Sequence, residues 1–282
     1  MLHRPRALLP LPLPLPLPLP LLPLPLLLSM SLPFGSGCQR SAQRFEVPRR
    51  VDGAAPAERL RAPRAPARPK AVAGIAVSAR WWTQRHARKV ARVKRGGVDL
   101  VWIGDSITHF WESDGKRVWD RYYANRRAVN LGFAGDRAQN VLWRLRHGEV
   151  AGISPRVAVV MIGTNDAAAG ARPAQTAAHI RAIVTELRRR LPRTRILLLA
   201  IFPCGVDDRD EQRKTNAAVN RIIANLADGR RVHYLDLGRR FLTPQGVLDK
   251  SIMPDLLHPG AKGYLVWAEA MEPTLERLLG KL

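Results

Sequence analysis

From residue 98 onward, short apolar runs alternate with longer segments of helical periodicity, and few folds accommodate such an alternation. Five runs are typical of strands: residues 99–103, 128–131, 157–162, 196–202 and 232–237. Four segments are typical of helices: residues 137–146, 173–191, 211–227 and 261–279. The third and fourth runs are almost wholly apolar, as in central strands buried on both faces. The pattern predicts an α/β domain, with a five-stranded parallel sheet covered by helices.

The positive charge of the chain is distributed unevenly. The 282 residues carry 46 Lys and Arg against 23 Asp and Glu, and 18 of the former but 3 of the latter lie in residues 1–96. A nucleic-acid-binding protein needs a basic face on a recognisable module, whereas much of this excess precedes the predicted domain. We therefore expect no specific nucleic-acid partner. The basic N-terminal arm is suited to contact an anionic surface such as a bacterial envelope.

The first 37 residues are dominated by Leu and Pro, after a short basic start, and end in small residues. This composition resembles a secretion signal. Proline at every second position removes the backbone donors that a membrane-spanning helix requires. The prediction is a secreted or envelope-associated protein. The alternatives are a misassigned start codon, or a cytoplasmic protein with a disordered Pro-rich N-terminus.

The two cysteines indicate neither a disulfide framework nor a metal site. Cys38 follows Gly-Ser-Gly and resembles the lipidation site of bacterial lipoproteins, although Gly35 replaces the usual aliphatic residue. Cys204 follows a strand-like run and is interpreted as an inert core thiol. The Ala-, Arg- and Pro-rich residues 38–79 are interpreted as a linker, and residues 80–282 as the folded domain.

A serine, a histidine and an aspartate stand at positions suited to nucleophilic catalysis. Ser106 follows the first predicted strand, and Asp255 precedes His258 by three residues in a predicted loop. A serine hydroxyl is a weak nucleophile, so it needs an imidazole to accept its proton and a carboxylate to orient that imidazole. We interpret Ser106 as nucleophile, His258 as base and Asp255 as the orienting carboxylate. The structural alternatives are helix capping by Ser106 and turn or helix capping by Asp255.

His109 is the rival base, because it lies only three residues after Ser106. A residue at that position in the first helical turn points away from the crevice at the strand ends, and we place His109 at the entrance instead. His258 lies in a predicted loop with an aspartate at a useful spacing. The sequence therefore favours His258.

Two further blocks follow the second and third strands and offer hydrogen-bond donors for an oxyanion. Gly135 can contribute a backbone N–H and Asn165 a side-chain amide. Gly132 competes with Gly135, and periodicity does not separate them. Each of the three blocks, counting the one that contains Ser106, carries an aspartate that we interpret as a supporting group: Asp105, Asp136 and Asp166. Because ligands bind at the carboxyl ends of parallel strands, the three blocks are expected to meet there.

These blocks, in this order, resemble the GDSL or SGNH hydrolase family, whose four named residues match Ser106, Gly135, Asn165 and His258. The stretch VNLGFAGDR at 129–137, followed by VLWRL at 141–145, resembles catalytic subunits of platelet-activating-factor acetylhydrolase and their bacterial relatives. The resemblance covers roughly residues 80–280. It implies a flavodoxin-like, three-layer α/β/α fold and favours Gly135 over Gly132 as the oxyanion donor.

The expected activity is hydrolysis of small esters, with acetyl as the first choice of acyl group. Ile107, Phe133 and Leu257 flank the motifs and either bound an acyl pocket or pack in the core. No metal or other cofactor is expected, and the substrate is a small ester such as an acetylated sugar or lipid. The alternatives are a polysaccharide deacetylase, a lysophospholipase and a non-catalytic surface binding module. A homodimer is expected by analogy with related subunits.

Overall fold

Five parallel strands form one sheet in the computed structural model, which describes residues 79–280. The strands are β1 Leu100–Gly104, β2 Ala128–Gly132, β3 Val157–Met161, β4 Arg195–Leu199 and β5 Val232–Leu235. Their order across the sheet is β2-β1-β3-β4-β5, and every neighbouring pair is parallel. The five-stranded parallel sheet expected from the apolar runs is confirmed.

Eight α-helices accompany the sheet in the described part of the chain. They are α1 Ala79–Lys94, α2 Ser106–His109, α3 Lys116–Tyr122, α4 Ala138–Arg146, α5 Thr164–Ala168, α6 Pro173–Arg190, α7 Glu211–Ile223 and α8 Ala261–Leu279. The four helices predicted between and after the strands correspond to α4, α6, α7 and α8. α3 and α5 were not predicted, because helices of seven and five residues are too short for an amphipathic repeat.

Each face of the sheet covers a separate hydrophobic core, which makes the fold a three-layer α/β/α arrangement. Val101 and Ile103 pack in the cluster formed with α4, α6 and α7. Leu100 and Trp102 pack in the cluster formed with α8. This division follows from the two-residue period of a strand, which sends successive side chains to opposite faces. Because both clusters are apolar, the strand shows no polar alternation in its sequence.

The strand order places a crevice at the carboxyl end of β1. β1 lies between β2 and β3. The connection from β1 therefore leads to a strand on one side of β1, and the connection from β2 leads to a strand on the other side. Ligands bind in open α/β sheets at such a reversal of strand order. Ser106, Gly135 and Asn165 follow β1, β2 and β3 respectively. The three blocks expected at one edge of the sheet are therefore on adjacent strands.

The predictions for residues 1–37, for Cys38 and for nearly all of the linker 38–79 lie outside the described residues. Within the described part, none of the helices combines the length and the apolar character needed to cross a membrane.

Candidate active site

Ser106, His258 and Asp255 form one hydrogen-bonded chain. The Ser106 Oγ lies 2.9 Å from His258 Nε2, and His258 Nδ1 lies 2.7 Å from Asp255 Oδ2. The three residues come from the end of β1 and from the loop before α8, 152 positions apart in sequence for the Ser106–His258 pair. The structure therefore brings together the nucleophile, base and carboxylate suggested by the sequence. In this arrangement a carboxylate orients an imidazole, and the imidazole can accept a serine proton.

A tight turn aims Asp255 back at the histidine. Its Oδ1 accepts hydrogen bonds from the backbone N–H groups of Leu257, at 3.0 Å, and His258, at 2.7 Å. Leu256 adopts a φ of 61°, an uncommon left-handed conformation for a branched side chain. Burial raises the pKa of Asp255, but the hydrogen bonds from His258 and Leu257 outweigh it and bring the pKa below its usual value. Asp255 is therefore held as an anion beside the imidazole.

Ser106 begins the short helix α2 and is 8% exposed. Asp105 caps this helix, because its Oδ1 accepts from the Ile107 N–H at 3.0 Å. The Tyr264 hydroxyl on α8 donates to the Ile107 carbonyl at 2.8 Å, which ties the turn at Ser106 to the helix that follows His258. The turn carrying Ser106 is thus anchored at both the sheet and α8.

Two glycines let α2 lie directly on the strand ends. A Cβ at Gly104 would come within 2.2 Å of Thr108 Oγ1, and one at Gly132 within 2.4 Å of the His109 nitrogen, both of them atoms of α2. The Gly132 N–H donates to Asn130 Oδ1 at 2.7 Å, so it is already engaged. Gly132 is therefore a close-packing position, which leaves Gly135 as the candidate donor of the two.

Gly135 and Asn165 meet at Asp136. Gly135 has a φ of 78° in a turn closed by the Asp136 N–H and the Phe133 carbonyl, at 3.1 Å; this conformation at the third residue is typical of glycine. The Asn165 Nδ2 donates to the Asp136 carbonyl at 2.9 Å. One N–H of that amide is thereby used for positioning, and the second remains for a ligand because an amide nitrogen carries two hydrogens.

The supporting roles expected for the three aspartates agree with their contacts. Asp105 caps α2, and Asp166 Oδ2 accepts from the Ala138 N–H at 2.9 Å, which joins α5 to α4. Asp136 accepts from Arg144 Nε at 2.8 Å. Burial raises the pKa of Asp105 to about 7 and that of Asp136 to about 6. Each of the three carboxylates therefore holds a loop or a helix end in place.

A buried ion network below the site was not predicted. Arg144 is fully buried and bonds to Asp136, to Glu149 and, at 3.0 Å, to the Leu131 carbonyl. Its guanidinium also lies 4.0 Å from the centroid of the Phe133 ring. Arg144 stands three residues after Val141, within the apolar stripe of α4. That spacing was a usable signal for a buried cation.

His109, the rival base, bonds elsewhere. Its Nδ1 accepts from the Ala134 N–H at 3.4 Å, and burial, followed by the Arg85 charge, lowers its pKa to about 4. Phe110, which the sequence did not single out, packs its ring 5.1 Å from that of His258. His258 rather than His109 therefore makes the hydrogen bond to Ser106, and the Phe110 ring packs beside the His258 ring.

The three suggested acyl-pocket residues differ in exposure. Ile107 and Phe133 are 1% and 0% exposed and pack as core side chains, whereas Leu257 is half-buried. Core packing, the alternative raised for each of them, therefore describes Ile107 and Phe133 in this structure. Within residues 79–280, no group of three or more His, Cys, Asp or Glu side chains is arranged to hold a metal ion.

Comparison with known proteins agrees with the motifs. Residues 102–266 match the model of the GDSL-like lipase/acylhydrolase family. The chain is 34% identical over 201 residues to human platelet-activating factor acetylhydrolase IB subunit alpha1, covering 71% of this chain and 85% of the relative. It is 31% identical over 199 residues to the rat alpha2 subunit, covering 70% and 85%. The chain belongs to the GDSL-like lipase/acylhydrolase family.

Solved structures share the fold at lower identity. A GDSL-like lipase from Bacteroides thetaiotaomicron superposes with a TM-score of 0.56 at 17% identity, covering 69% of this chain and 97% of the other. An acetylxylan esterase from Geobacillus stearothermophilus gives 0.52 at 21%, covering 66% and 96%. The fold is that of the SGNH hydrolases, as the motifs implied. The protein is a carboxylic ester hydrolase.

Proposed function

We propose that the protein is a serine esterase that hydrolyses short acyl esters with Ser106 as nucleophile, His258 as general base and Asp255 as its orienting carboxylate. The hydrogen-bonded chain from Ser106 through His258 to Asp255 carries this proposal. Asp255 accepts from Nδ1–H, which leaves the Nε2 lone pair directed at the Ser106 hydroxyl. This is the tautomer that a general base requires.

The reaction proceeds through an acyl-enzyme. The Ser106 Oγ attacks the ester carbonyl carbon while His258 Nε2 takes the hydroxyl proton. The tetrahedral intermediate collapses when His258 returns that proton to the leaving alcohol oxygen. Water then attacks the acyl-serine by the same route, and the acid is released. Asp255 stabilises the imidazolium in both halves without being protonated itself.

The oxyanion hole consists of the N–H groups of Ser106 and Gly135 and the side-chain amide of Asn165. Gly135 and Asn165 are joined through Asp136, and Ser106 lies at the end of the neighbouring strand. Preorganised donors of this kind stabilise the charge that develops on the carbonyl oxygen, at about 3 kcal/mol each. The N-terminus of α2 contributes backbone dipoles of the same sign.

The acyl group is proposed to be acetyl. Relatives that share about a third of their residues with this chain are platelet-activating factor acetylhydrolase subunits, and a protein of the same fold is an acetylxylan esterase. Neither fixes the alcohol, so an acetylated sugar and an acetylated lipid are both candidates. The competing assignments, polysaccharide deacetylase and lysophospholipase, use the same catalytic parts. Dimerisation and contact of the N-terminal arm with an envelope remain predictions.

The decisive test is Ser106→Ala, assayed with p-nitrophenyl acetate. We expect a loss on the order of 10⁴-fold or more, while the matched change at the exposed Ser154 leaves turnover unchanged. Covalent labelling of the wild-type protein by a fluorophosphonate, absent in Ser106→Ala, would distinguish an esterase from a non-catalytic binding module. Wild-type turnover in Ser106→Ala would refute the proposal.

Substrate choice is tested with nitrophenyl esters of increasing acyl length, together with acetylated sugars and lysophospholipids. The acetyl assignment predicts that kcat/KM falls steeply beyond the shortest acyl groups. Faster hydrolysis of a long-chain lysophospholipid than of any acetyl ester would replace the acetyl assignment with the lysophospholipase alternative.

A further inference from the structure

We propose that helix α1 positions the oxyanion hole, with Trp82 as the positioning residue that holds Asp136. The inference rests on the proposed function, because it concerns the donors Gly135 and Asn165. α1 spans Ala79–Lys94 and so precedes residues 102–266, which match the family model. The positioning role of α1 is inferred from the contacts that Trp82 and Arg85 make with the segment 132–136.

The carboxylate of Asp136 is held at both oxygens. The Trp82 indole Nε1 donates to Oδ1 at 2.7 Å, and the Arg144 Nε donates to Oδ2 at 2.8 Å. Asp136 is 1% exposed, so water does not replace a lost donor readily. Arg144 on α4 therefore holds one carboxylate oxygen of Asp136, and Trp82 on α1 holds the other.

Asp136 is connected to both proposed oxyanion donors outside α2. It follows Gly135 directly and closes the turn that gives Gly135 its φ of 78°. Its carbonyl accepts the Asn165 amide at 2.9 Å. A shift of Asp136 consequently moves the Gly135 N–H and the Asn165 amide together. Trp82 thus acts on the oxyanion hole through one residue.

A second residue of α1 holds the start of the same segment. The Arg85 Nε donates to the Gly132 carbonyl at 3.0 Å, and its two terminal nitrogens bond to the Glu112 carboxylate at 2.9 and 2.8 Å. Its guanidinium lies 5.1 Å from the Phe133 ring centroid. Arg85 is 6% exposed, whereas the Glu112 side chain is 39% exposed, so the guanidinium is shielded from solvent and the carboxylate is open to it. α1 therefore contacts both ends of the segment 132–136.

The substitution Trp82→Phe isolates the indole N–H. Phenylalanine retains an aromatic ring for the contacts that Trp82 makes with Phe133 and Trp143, whose centroids lie 5.6 and 5.3 Å away. It removes the donor to Asp136 together with one of the two fused rings, and Trp143→Phe reproduces the ring loss without removing that donor. Because oxyanion stabilisation depends on donor geometry, a displacement of less than 1 Å is enough to slow the chemical step.

The experiment compares the full-length wild-type chain with Trp82→Phe and with the control Trp143→Phe. Trp143 belongs to the same ring cluster, but the Asp136 side chain accepts from Trp82 and Arg144. For Trp82→Phe we expect kcat to fall about 10-fold with KM changed less than about twofold. The inhibition constant of a boronic acid, whose Ser106 adduct is a tetrahedral anion, should rise in the same proportion as kcat falls. Trp143→Phe should change neither quantity.

A merely structural role for Trp82 predicts a different result. In that case Trp82→Phe lowers the melting temperature while kcat and the boronic acid inhibition constant stay at wild-type values, and the inference is overturned. The control Ser106→Ala separates this failure from failure of the proposed function. If Ser106→Ala is inactive while Trp82→Phe retains full kcat, only the positioning role of Trp82 is wrong. If Ser106→Ala retains turnover, the esterase proposal itself is wrong.

Discussion

The side-chain amide of Asn165 and the backbone carbonyl of Asp136 are joined by a hydrogen bond of 2.9 Å. This bond connects the segments that follow β3 and β2, which are 29 positions apart in sequence and lie on either side of β1. Ser106 follows β1, between them. The proposed nucleophile therefore follows the strand that lies between β2 and β3, and the segments after those two strands are hydrogen-bonded to each other.

The first prediction concerns the side-chain amide of Asn165. Asn165→Ala removes one proposed oxyanion donor and leaves the Asp136 carbonyl without that partner, so kcat should fall about 10²- to 10³-fold with little change in KM. Steady-state kinetics on p-nitrophenyl acetate measure both parameters. The matched change Asn125→Ala, at an exposed position in the turn before β2, should have no effect. An increase in KM with unchanged kcat would assign Asn165 to substrate binding instead.

The second prediction concerns Asp255, the carboxylate proposed to orient His258. Asp255→Asn replaces an acceptor for Nδ1–H with a group that can present a donor, which disfavours the productive tautomer of His258. The expected loss in kcat is on the order of 10³-fold, smaller than that of Ser106→Ala. The Asp255 side chain is 56% exposed, so water can partly replace it.

Asp249→Asn is the control for this substitution, because Asp249 lies in the same loop and likewise accepts from a backbone N–H two residues on. It should retain wild-type kcat. A loss as large in Asp249→Asn as in Asp255→Asn would mean that loop structure, not orientation of His258, is being measured.

The third prediction separates steric exclusion from backbone strain at glycine. A Cβ at Gly132 would meet backbone atoms at 2.4 and 2.6 Å, whereas one at Gly97 would meet nothing within 4 Å although its φ is 63°. Gly97→Ala should therefore cost only about 1 kcal/mol of unfolding free energy, from the left-handed conformation. Gly132→Ala should cost more than about 3 kcal/mol, because the backbone of α2 must move. Urea unfolding of both variants decides this, and equal costs would contradict the close-packing role.

The fourth prediction is a pH dependence of stability at Asp105. Burial raises the pKa of Asp105 from 3.8 in the reference state to about 7 in the folded protein. Between these values the folded state binds more protons than the unfolded state, so this group makes stability fall as the pH rises through the window. Asp105→Asn removes that dependence and keeps an acceptor for the Ile107 N–H.

Relative to wild type, Asp105→Asn should therefore gain unfolding free energy between pH 4 and pH 7. Urea unfolding at several pH values measures the difference, in which the titration of groups that do not interact with Asp105 cancels. The exposed Asn125→Ala variant, which changes no titratable group, should show a constant difference from wild type. A constant difference for Asp105→Asn as well would show that its folded-state pKa is not raised.

Much of the architecture was predictable because buried strands and long helices leave distinct patterns. β3 and β4 were visible as apolar runs, and α6 as a helix that begins at Pro173. Short helices such as α5 leave too few residues for a period. The basic stretch 86–94 is typical of a helix, but α1 begins earlier, at Ala79, because Trp82 and Arg85 make contacts with residues more than 25 positions away.

The candidate site was likewise predictable only in part. The identities of Ser106, Asn165, Asp255 and His258 and their positions after strands or in a loop could be seen in the sequence, since the chemistry demands particular residue types. The choice between Gly132 and Gly135 could not be made from periodicity, because it depends on whether each N–H is already engaged. The burial of Ile107 and Phe133 was equally undetermined, since an apolar residue beside a motif suits a pocket and a core alike.

The sequence by itself determined the class of fold and the chemical type of the site, because alternation of apolar periods and the residues of an acyl-transfer mechanism are both local properties of the chain. Only the tertiary structure decided which groups touch. The 2.9 Å approach of Ser106 to His258 and the bonds of Trp82 and Arg144 to Asp136 join residues far apart in sequence. Such contacts depend on how strands and helices pack in three dimensions, which no local pattern encodes.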